Sequence, residues 1–176
     1  MRLLGMDAYK AVVEKRDKRE FDSRPIPEEI LVKIMQATRM AGSGKNRQTG
    51  RVVVVTNQEG RESVAASGDF GDWINQSAVA LVLAIHSDGG LRPDFDIGRM
   101  AQNAMIVANS EGLYSCPMTV YRQQELKTAL GIPDEYDVPM VVGMGFPAGG
   151  SKTSKSHPRI PLEDMVYREI WQEGLV

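Results

Sequence analysis

The fold of this chain is decided by the apolar run SAVALVLAIH at residues 77–86, which is followed by the segment DIGRMAQNAMIVANSEG at residues 96–112. The run is apolar almost throughout, which is typical of a strand covered on both faces of a sheet. In the second segment apolar side chains recur at helical spacing and Gly112 closes the pattern, which predicts the longest helix of the chain. A buried strand followed by a long helix indicates a central sheet with helices packed around it.

Weaker patterns on either side of this pair predict the remaining elements. Further helices are predicted at residues 7–15, 25–41, 59–67, 123–130 and 161–171, and further strands at residues 51–56 and 138–145. Asp7 is the expected N-cap of the first helix, and residues 114–119 are expected to be extended. Because helices and strands alternate only loosely, the sequence predicts a single α+β domain with one central sheet, covering residues 1–176.

The predicted long helix is rich in small side chains, at Ala101, Ala104 and Ala108. Small side chains let another helix approach closely. This helix is therefore expected either to lie in the core of one chain or to be shared between two subunits, and its periodicity does not separate these two alternatives.

Composition and charge exclude several classes of protein. The net charge is −2, so no nucleic-acid footprint is expected. The longest apolar run, residues 78–85, is far shorter than the roughly 20 residues that span a bilayer, and neither a membrane segment nor a signal peptide is predicted. His86 and His157 lack metal-ligand spacing, so no metal site is predicted. A cytoplasmic location is the resulting expectation.

A basic cluster, KRDKR at residues 15–19, follows the first predicted helix directly. Its ammonium and guanidinium groups are able to hold a phosphate, arginine through a bidentate fork. The same pattern is also typical of a solvated charge run, and local sequence alone favours that alternative.

The loop AGSGKNRQ at residues 41–48 combines two glycines, a serine and two amide side chains before a predicted strand. Amides both donate and accept hydrogen bonds, which suits the edge of a flavin or of a nucleotide base. The alternative is a plain turn between a helix and a strand.

Three later segments complete the candidate chemistry. The segment YSCPMT at residues 114–119 is suited to lie along a flat ring system, and its Cys116 is expected to be a buried, inert thiol because neither histidine adjoins it in sequence. The segment GMGFPAGG at residues 143–150 fails as a dinucleotide-binding fingerprint, since Pro147 interrupts it and no helix opens there. The segment SHPRIP at residues 156–161 adds Arg159.

Taken together, these segments resemble the nitroreductase family of FMN oxidoreductases from about residue 7 to residue 171. The Arg-Arg-Ser-x-Arg-x-Phe motif of that family is similar to KRDKREF at residues 15–21, and its Pro-Ser-x-x-Asn-x-Gln-Pro-Trp loop is similar to GSGKNRQTG at residues 42–50. The central dimer helix of the family resembles residues 96–112, and its phosphate-binding arginine near the C-terminus resembles Arg159.

The resemblance implies an α+β fold with a mixed central sheet flanked by helices, paired into a homodimer through the long central helix. It implies that both subunits hold each FMN, and that Arg16, Arg19 and Arg159 converge on the FMN phosphate. The full set of implied FMN-binding residues is Lys15, Arg16, Asp17, Arg19, Ser43, Asn46, Gln48, Pro117, Met118, Thr119 and Arg159.

The implied reaction is a ping-pong transfer of hydride from NADH or NADPH, through FMN, to a nitroaromatic, a quinone or a similar small acceptor. No side chain is implied as a general acid or base, because hydride transfer to a flavin does not require one. Two other functions stay open at this stage. One is a flavin-binding or redox-sensing module with little turnover, and the other is a relative of the same fold that uses a deazaflavin.

Three departures from the family pattern stand out. Asp17 replaces the serine of the first motif, and its carboxylate repels a phosphate unless it pairs with Lys15, Arg16 or Arg19. We expect it to pair with Arg16 or Arg19 and to accept hydrogen bonds from the ribityl hydroxyls. The alternative is that Asp17 faces the phosphate and repels it. Thr49 and Gly50 replace the Pro-Trp end of the second motif. The stretch between Ile85 and Asp96 leaves no room for the helical insertion of larger relatives.

Overall fold

A four-stranded sheet with helices on both faces forms the centre of the fold, in a computed structural model that describes residues 7–88, 90, 92–149 and 158–173. The helices are α1 (Ala8–Glu14), α2 (Glu28–Arg39), α3 (Gln58–Ala66), α4 (Pro93–Ser110) and α5 (Gln123–Leu130). The strands are β1 (Gly50–Val55), β2 (Val79–His86), β3 (Tyr114–Thr119) and β4 (Tyr136–Gly145). The expected α+β class is confirmed, as is the N-cap, since the Asp7 carboxylate accepts from the Tyr9 backbone N–H at 2.7 Å.

The strand order is β1-β2-β4-β3, and each neighbouring pair is antiparallel. Strands β2 and β3 run in the same direction, but β4 lies between them, so the α4 connection joins parallel strands that do not touch. The mixed sheet expected from the sequence is therefore antiparallel across these four strands. Among the described residues, parallel pairing is confined to an isolated bridge between Asp17 and Ser115.

Strand β2 lies at the centre and is buried on both faces, as its apolar sequence predicts. Leu81 and Leu83 point into one core cluster, which packs against α2 and α4. Ala80 and Val82 point into the second cluster, which packs against α3 and α5. This alternation is the consequence of the two-residue period of a strand. The continuous apolar run thus supplies both cores of the domain.

Helix α4 begins with Pro93 in its first turn, where two acidic side chains complement the helix dipole. It docks on α2, where the Asn103 side-chain amide donates to the Ala37 carbonyl at 3.0 Å. Its small residues Ala101, Ala104 and Ala108 are buried against the sheet of the same chain. Those alanines therefore serve the core of the monomer and are not themselves evidence for a contact between subunits.

The helix predicted at residues 161–171 is wrong. The structure has only a short 3-10 turn there, Leu162–Asp164, followed by further turns. The apolar side chains of this segment are exposed, with Ile170 at 62% and Trp171 at 77%. An isolated short helix is marginal in water and needs an apolar face to pack against. No helix in the described part of the chain is both long and apolar enough to cross a membrane.

Candidate functional site

Residues 15–17 of the basic cluster, hereafter the basic motif, line a cavity of about 510 Å³, hereafter the basic cavity. Segments that are far apart in sequence meet there: the end of α1, the motif that follows it, one side of α4, strand β3 and the segment that carries Arg159. The lining residues are Val12, Val13, Lys15, Arg16, Asp17, Gln102, Met105, Pro117 and Arg159. Five of these are residues that the sequence assigned to the site, so the cavity unites three of the predicted segments.

Lys15 is buried in this cavity and forms an ion pair with Asp17. Its ammonium group also lies 3.2 Å from the Met105 sulfur. The expectation that Asp17 pairs with Arg16 or Arg19 is therefore wrong, because the partner is Lys15. The reason is backbone geometry: the chain is extended at Lys15 (φ −59°, ψ 129°), so the side chains two positions apart lie on one side and Arg16 lies on the other.

Arg16 and Arg159 supply the accessible positive charge of the basic cavity. The Arg16 guanidinium donates to the carbonyls of Val13 and Lys15 at 2.6 and 2.8 Å, which anchors it at the C-terminal end of α1. Arg159 is exposed and forms no ion pair within the described part of the chain. With Lys15 already committed to Asp17, these two guanidinium groups are the ones free to bind an anion.

Arg19 lies outside the basic cavity. Its Nε donates to the Cys116 sulfur at 3.3 Å, and its guanidinium carbon lies 5.6 Å from the centroid of the Trp73 ring. Burial raises the pKa of the Cys116 thiol, against the opposing effect of Arg19, so this thiol is protonated near neutral pH. The interpretation of Cys116 as a buried, unreactive thiol agrees with this environment.

Strand β3 presents alternate residues to the two faces of the sheet. Pro117 lines the basic cavity. Because side chains alternate along a strand, Ser115 and Thr119 lie on the same face of β3 as Pro117, although neither lines the cavity itself. Met118 is on the other face, buried in the second core cluster, so its side chain does not line the basic cavity. The Ser115 hydroxyl is buried without a hydrogen-bond partner. Ser115 is not among the residues implied by the resemblance, although the strand period counted from Pro117 places it on the same face of β3.

The amide loop, residues 41–48, lies at a different cavity of about 470 Å³, hereafter the loop cavity. Ser43 and Gln48 both line it, and the Ser43 hydroxyl accepts from the Gln48 backbone N–H at 2.9 Å. Asn46 is at the exposed tip of the loop, with a left-handed backbone (φ 55°) that asparagine tolerates better than most residues. The loop is thus more specific in shape than a plain turn.

The basic cavity and the loop cavity lie on opposite sides of α4. Gln102 and Met105 face the basic cavity, whereas Asp96 and Met100 face the loop cavity. Residues three or four positions apart share a helix face, and the step from Met100 to Gln102 turns about 200° around the axis. Within one chain the two cavities are therefore separated by the width of a helix.

The sequence predicted no metal site, and among the described residues no three His, Cys, Asp or Glu side chains come together as a possible ligand set. His157 and Gly150 lie outside the described residues, so the statements about them stay predictions. In the basic cavity, two free guanidinium groups, one carboxylate, one amide and several apolar side chains suit a phosphorylated, hydroxylated ligand with a flat apolar part.

Comparison with known proteins assigns the chain to a family. The NADPH-flavin oxidoreductase of Vibrio harveyi is 26% identical over 184 residues, which cover 95% of this chain and 75% of that protein. The FMN reductase [NAD(P)H] of Bacillus subtilis is 25% identical over 189 residues, covering 94% and 74%. The crystal structure of nitroreductase A from Vibrio parahaemolyticus superposes with a TM-score of 0.84 at 26% identity, covering 96% of this chain and 78% of that one.

The sequence model of the nitroreductase family matches residues 12–68 and 70–146. The matched ranges contain the basic motif, the amide loop, helix α4 and all four strands of the sheet. This match covers well over half of the sequence, and it agrees with the basic motif, the loop and the long helix described above. The chain therefore belongs to the nitroreductase family.

Proposed function

We propose that this protein is an FMN-dependent oxidoreductase that transfers hydride from NADH or NADPH to a nitroaromatic, a quinone or a similar small acceptor. The observation that carries the proposal is the convergence of Arg16, Asp17, Pro117 and Arg159 on one cavity. The names of the Vibrio harveyi and Bacillus subtilis relatives, a flavin oxidoreductase and an FMN reductase, support the choice of cofactor and donor.

The residues of the basic cavity fit FMN by their chemistry. Arg16 and Arg159 hold the phosphate, and Lys15 neutralises Asp17 so that the carboxylate oxygens accept from the ribityl hydroxyls. Ser115, with a buried hydroxyl that lacks a partner, offers one more polar group on the same strand face as Pro117. The volume of about 510 Å³ lies within the roughly 300–1,000 Å³ of small-molecule sites.

Hydride relay between donor and acceptor, in the two half-reactions of a ping-pong cycle, is the chemistry that FMN supplies when bound. The side chains of this protein then act by binding and orientation: the guanidinium groups fix one end of the cofactor, and Pro117 and Met105 supply apolar surface beside it. No side chain is assigned as a general acid or base. Localisation in the cytoplasm stays a prediction.

We further propose a homodimer in which each FMN contacts both subunits. A ligand that needs both the basic motif and the loop with Ser43, Asn46 and Gln48 cannot receive them from one chain, because α4 separates the two cavities. A second copy supplies the missing half. Exposed apolar side chains outside the cavities, which are costly to leave in water, support such an interface; they include Tyr9, Met40, Ile170 and Trp171.

A stable dimer is accordingly expected in solution. Obligate interfaces of this kind commonly bury more than about 2,000 Å². Sedimentation velocity at micromolar concentration, recorded at both protein and flavin absorption wavelengths, checks this expectation. A monomer that carries bound flavin would contradict the shared site, because one chain would then suffice to hold the cofactor.

The optical spectrum of the purified protein tests the proposed function directly. We expect a yellow protein whose flavin absorption bleaches on anaerobic addition of NADH or NADPH and returns on addition of a nitroaromatic or a quinone. A yellow protein that neither nucleotide bleaches would indicate a flavin-binding module with little turnover. A protein that lacks flavin and binds a deazaflavin would indicate a relative with a different cofactor.

The replacement Asp17→Ser restores the family residue and tests the role of this carboxylate. Because Lys15 already neutralises Asp17, we expect the variant to bind FMN equally or more weakly, through the loss of an acceptor for the ribityl hydroxyls. Fluorescence titration of the apoprotein measures this, with Asp22→Ser as a control outside the basic cavity. A tenfold gain in affinity, about 1.4 kcal/mol, would show instead that Asp17 opposes the phosphate.

A further inference from the structure

A third cavity, of about 390 Å³, lies between the amide loop and the start of α4. Four basic side chains line it, Lys45, Arg47, Arg92 and Arg99, and we call it the four-cation cavity. None of the four forms an ion pair with a carboxylate in the described part of the chain. This accumulation of unpaired positive charge is notable in a protein whose net charge is −2.

Two of the guanidinium groups pack closely against glycine residues. A Cβ atom added to Gly42 would lie 2.4 Å from Nη2 of Arg99, and one added to Gly90 would lie 2.9 Å from Nη1 of Arg47. Gly90 also has φ +108°, which a side chain would strain. The two glycines therefore leave room for the guanidinium groups of Arg99 and Arg47, and no carboxylate among the described residues forms an ion pair with either of them. That combination is expected where an anion from outside completes the site.

An aromatic ring lies beside these charges. Phe95 lines the four-cation cavity and is 65% exposed, and the guanidinium carbon of Arg99 lies 5.4 Å from the centroid of its ring. An exposed ring and a planar guanidinium are surfaces on which a nucleotide base stacks. The cavity thus offers a place for a base next to a place for a phosphate.

One acidic side chain lines the same cavity. Asp96 is only 8% exposed and has no hydrogen-bond or ion-pair partner among the described residues. Its position in the first turn of α4 stabilises its negative charge. A carboxylate that lines a cavity is able to accept from a donor on a ligand, such as a ribose hydroxyl or an adenine amino group. Four positive charges against this single negative charge still leave a formal excess of +3.

We propose that the four-cation cavity binds the 2′-phosphorylated adenosine end of NADPH, and that the enzyme consequently prefers NADPH to NADH. The inference rests on the proposed function, in which one of these nucleotides is the donor. A phosphate monoester carries about −1.5 to −2 near neutral pH and matches the charge excess better than a single carboxylate does. NADH carries the same pyrophosphate but lacks the 2′-phosphate, so with NADH the four cations lose the dianionic group that best matches their charge.

Binding of nucleotide fragments to the flavin-loaded protein tests the site apart from catalysis. By calorimetry, adenosine 2′,5′-bisphosphate is expected to bind at least about tenfold more tightly than adenosine 5′-monophosphate. In Arg92→Gln and in Arg99→Gln, the affinity for the bisphosphate is expected to fall on the order of tenfold to a hundredfold, with little change for the monophosphate. Arg24→Gln removes an exposed cation elsewhere and is the matched control.

Steady-state kinetics with each donor supply the second measurement. The value of kcat/KM for NADPH should exceed that for NADH, and in Arg92→Gln the ratio of the two values should fall towards one. Equal affinity for the two fragments, or variants that weaken only an anionic acceptor such as nitrobenzoate, would overturn the assignment of this cavity to the donor. Flavin reduced equally well by both donors would also overturn it, while leaving the proposed function intact. If neither donor reduces the flavin, the proposed function fails, and tight bisphosphate binding alone would still support the cavity as a phosphate site.

Discussion

Arg159→Ala is expected to weaken FMN binding on the order of tenfold to a hundredfold, because it removes a charge-assisted contact worth about 1.5–3 kcal/mol. Arg159 lines the basic cavity opposite the motif at residues 15–17 and is not committed to a carboxylate among the described residues. Fluorescence titration of the apoprotein with FMN measures the effect. Riboflavin, which lacks the phosphate, should bind the variant as it binds the parent.

Two comparisons sharpen this experiment. Arg24→Ala removes an exposed cation away from the cavity and should leave FMN affinity unchanged. Arg19→Ala tests whether Arg19 also contacts the FMN phosphate. The resemblance implies that contact, whereas in the structure Arg19 lies between Cys116 and Trp73. Equal losses of FMN and riboflavin in Arg159→Ala would show that this residue supports the fold rather than the phosphate.

Leu81→Ala is expected to lower the free energy of unfolding by about 2–5 kcal/mol, the range for truncating a fully buried leucine. Leu81 lies in the central strand β2, is 0% exposed and belongs to the core cluster that packs against α4. Truncation of Leu81 leaves a cavity, because β2 is hydrogen-bonded to β1 on one side and to β4 on the other and the surrounding residues are held in place. Chemical denaturation, followed by circular dichroism, measures the loss.

Val54→Ala on β1 is the matched control, because this strand is at the edge of the sheet and Val54 is 37% exposed. Its loss should be well below that of Leu81→Ala, since much of the removed surface is already in contact with water. If the two variants lost the same stability at unchanged m-values, β2 would not be the centre of the cooperative core.

The elements with a strong local pattern could be predicted from the sequence. Helix α5 (Gln123–Leu130) has the predicted bounds, and β2 and α4 lie within a few residues of theirs. The C-terminal segment could not be predicted in this way. Its apolar residues resemble a helix face, but burial against another element, which local sequence does not contain, decides whether such a helix is stable.

The sequence by itself determined the family, the order of the elements and the chemical character of the basic motif, because these depend on residue types and local spacing. Only the tertiary structure decided which side chains meet. It paired Asp17 with Lys15, turned Met118 into the core and brought Arg159 to the motif near the N-terminus. These contacts depend on strand facing and on packing between segments remote in sequence, and no local period encodes them.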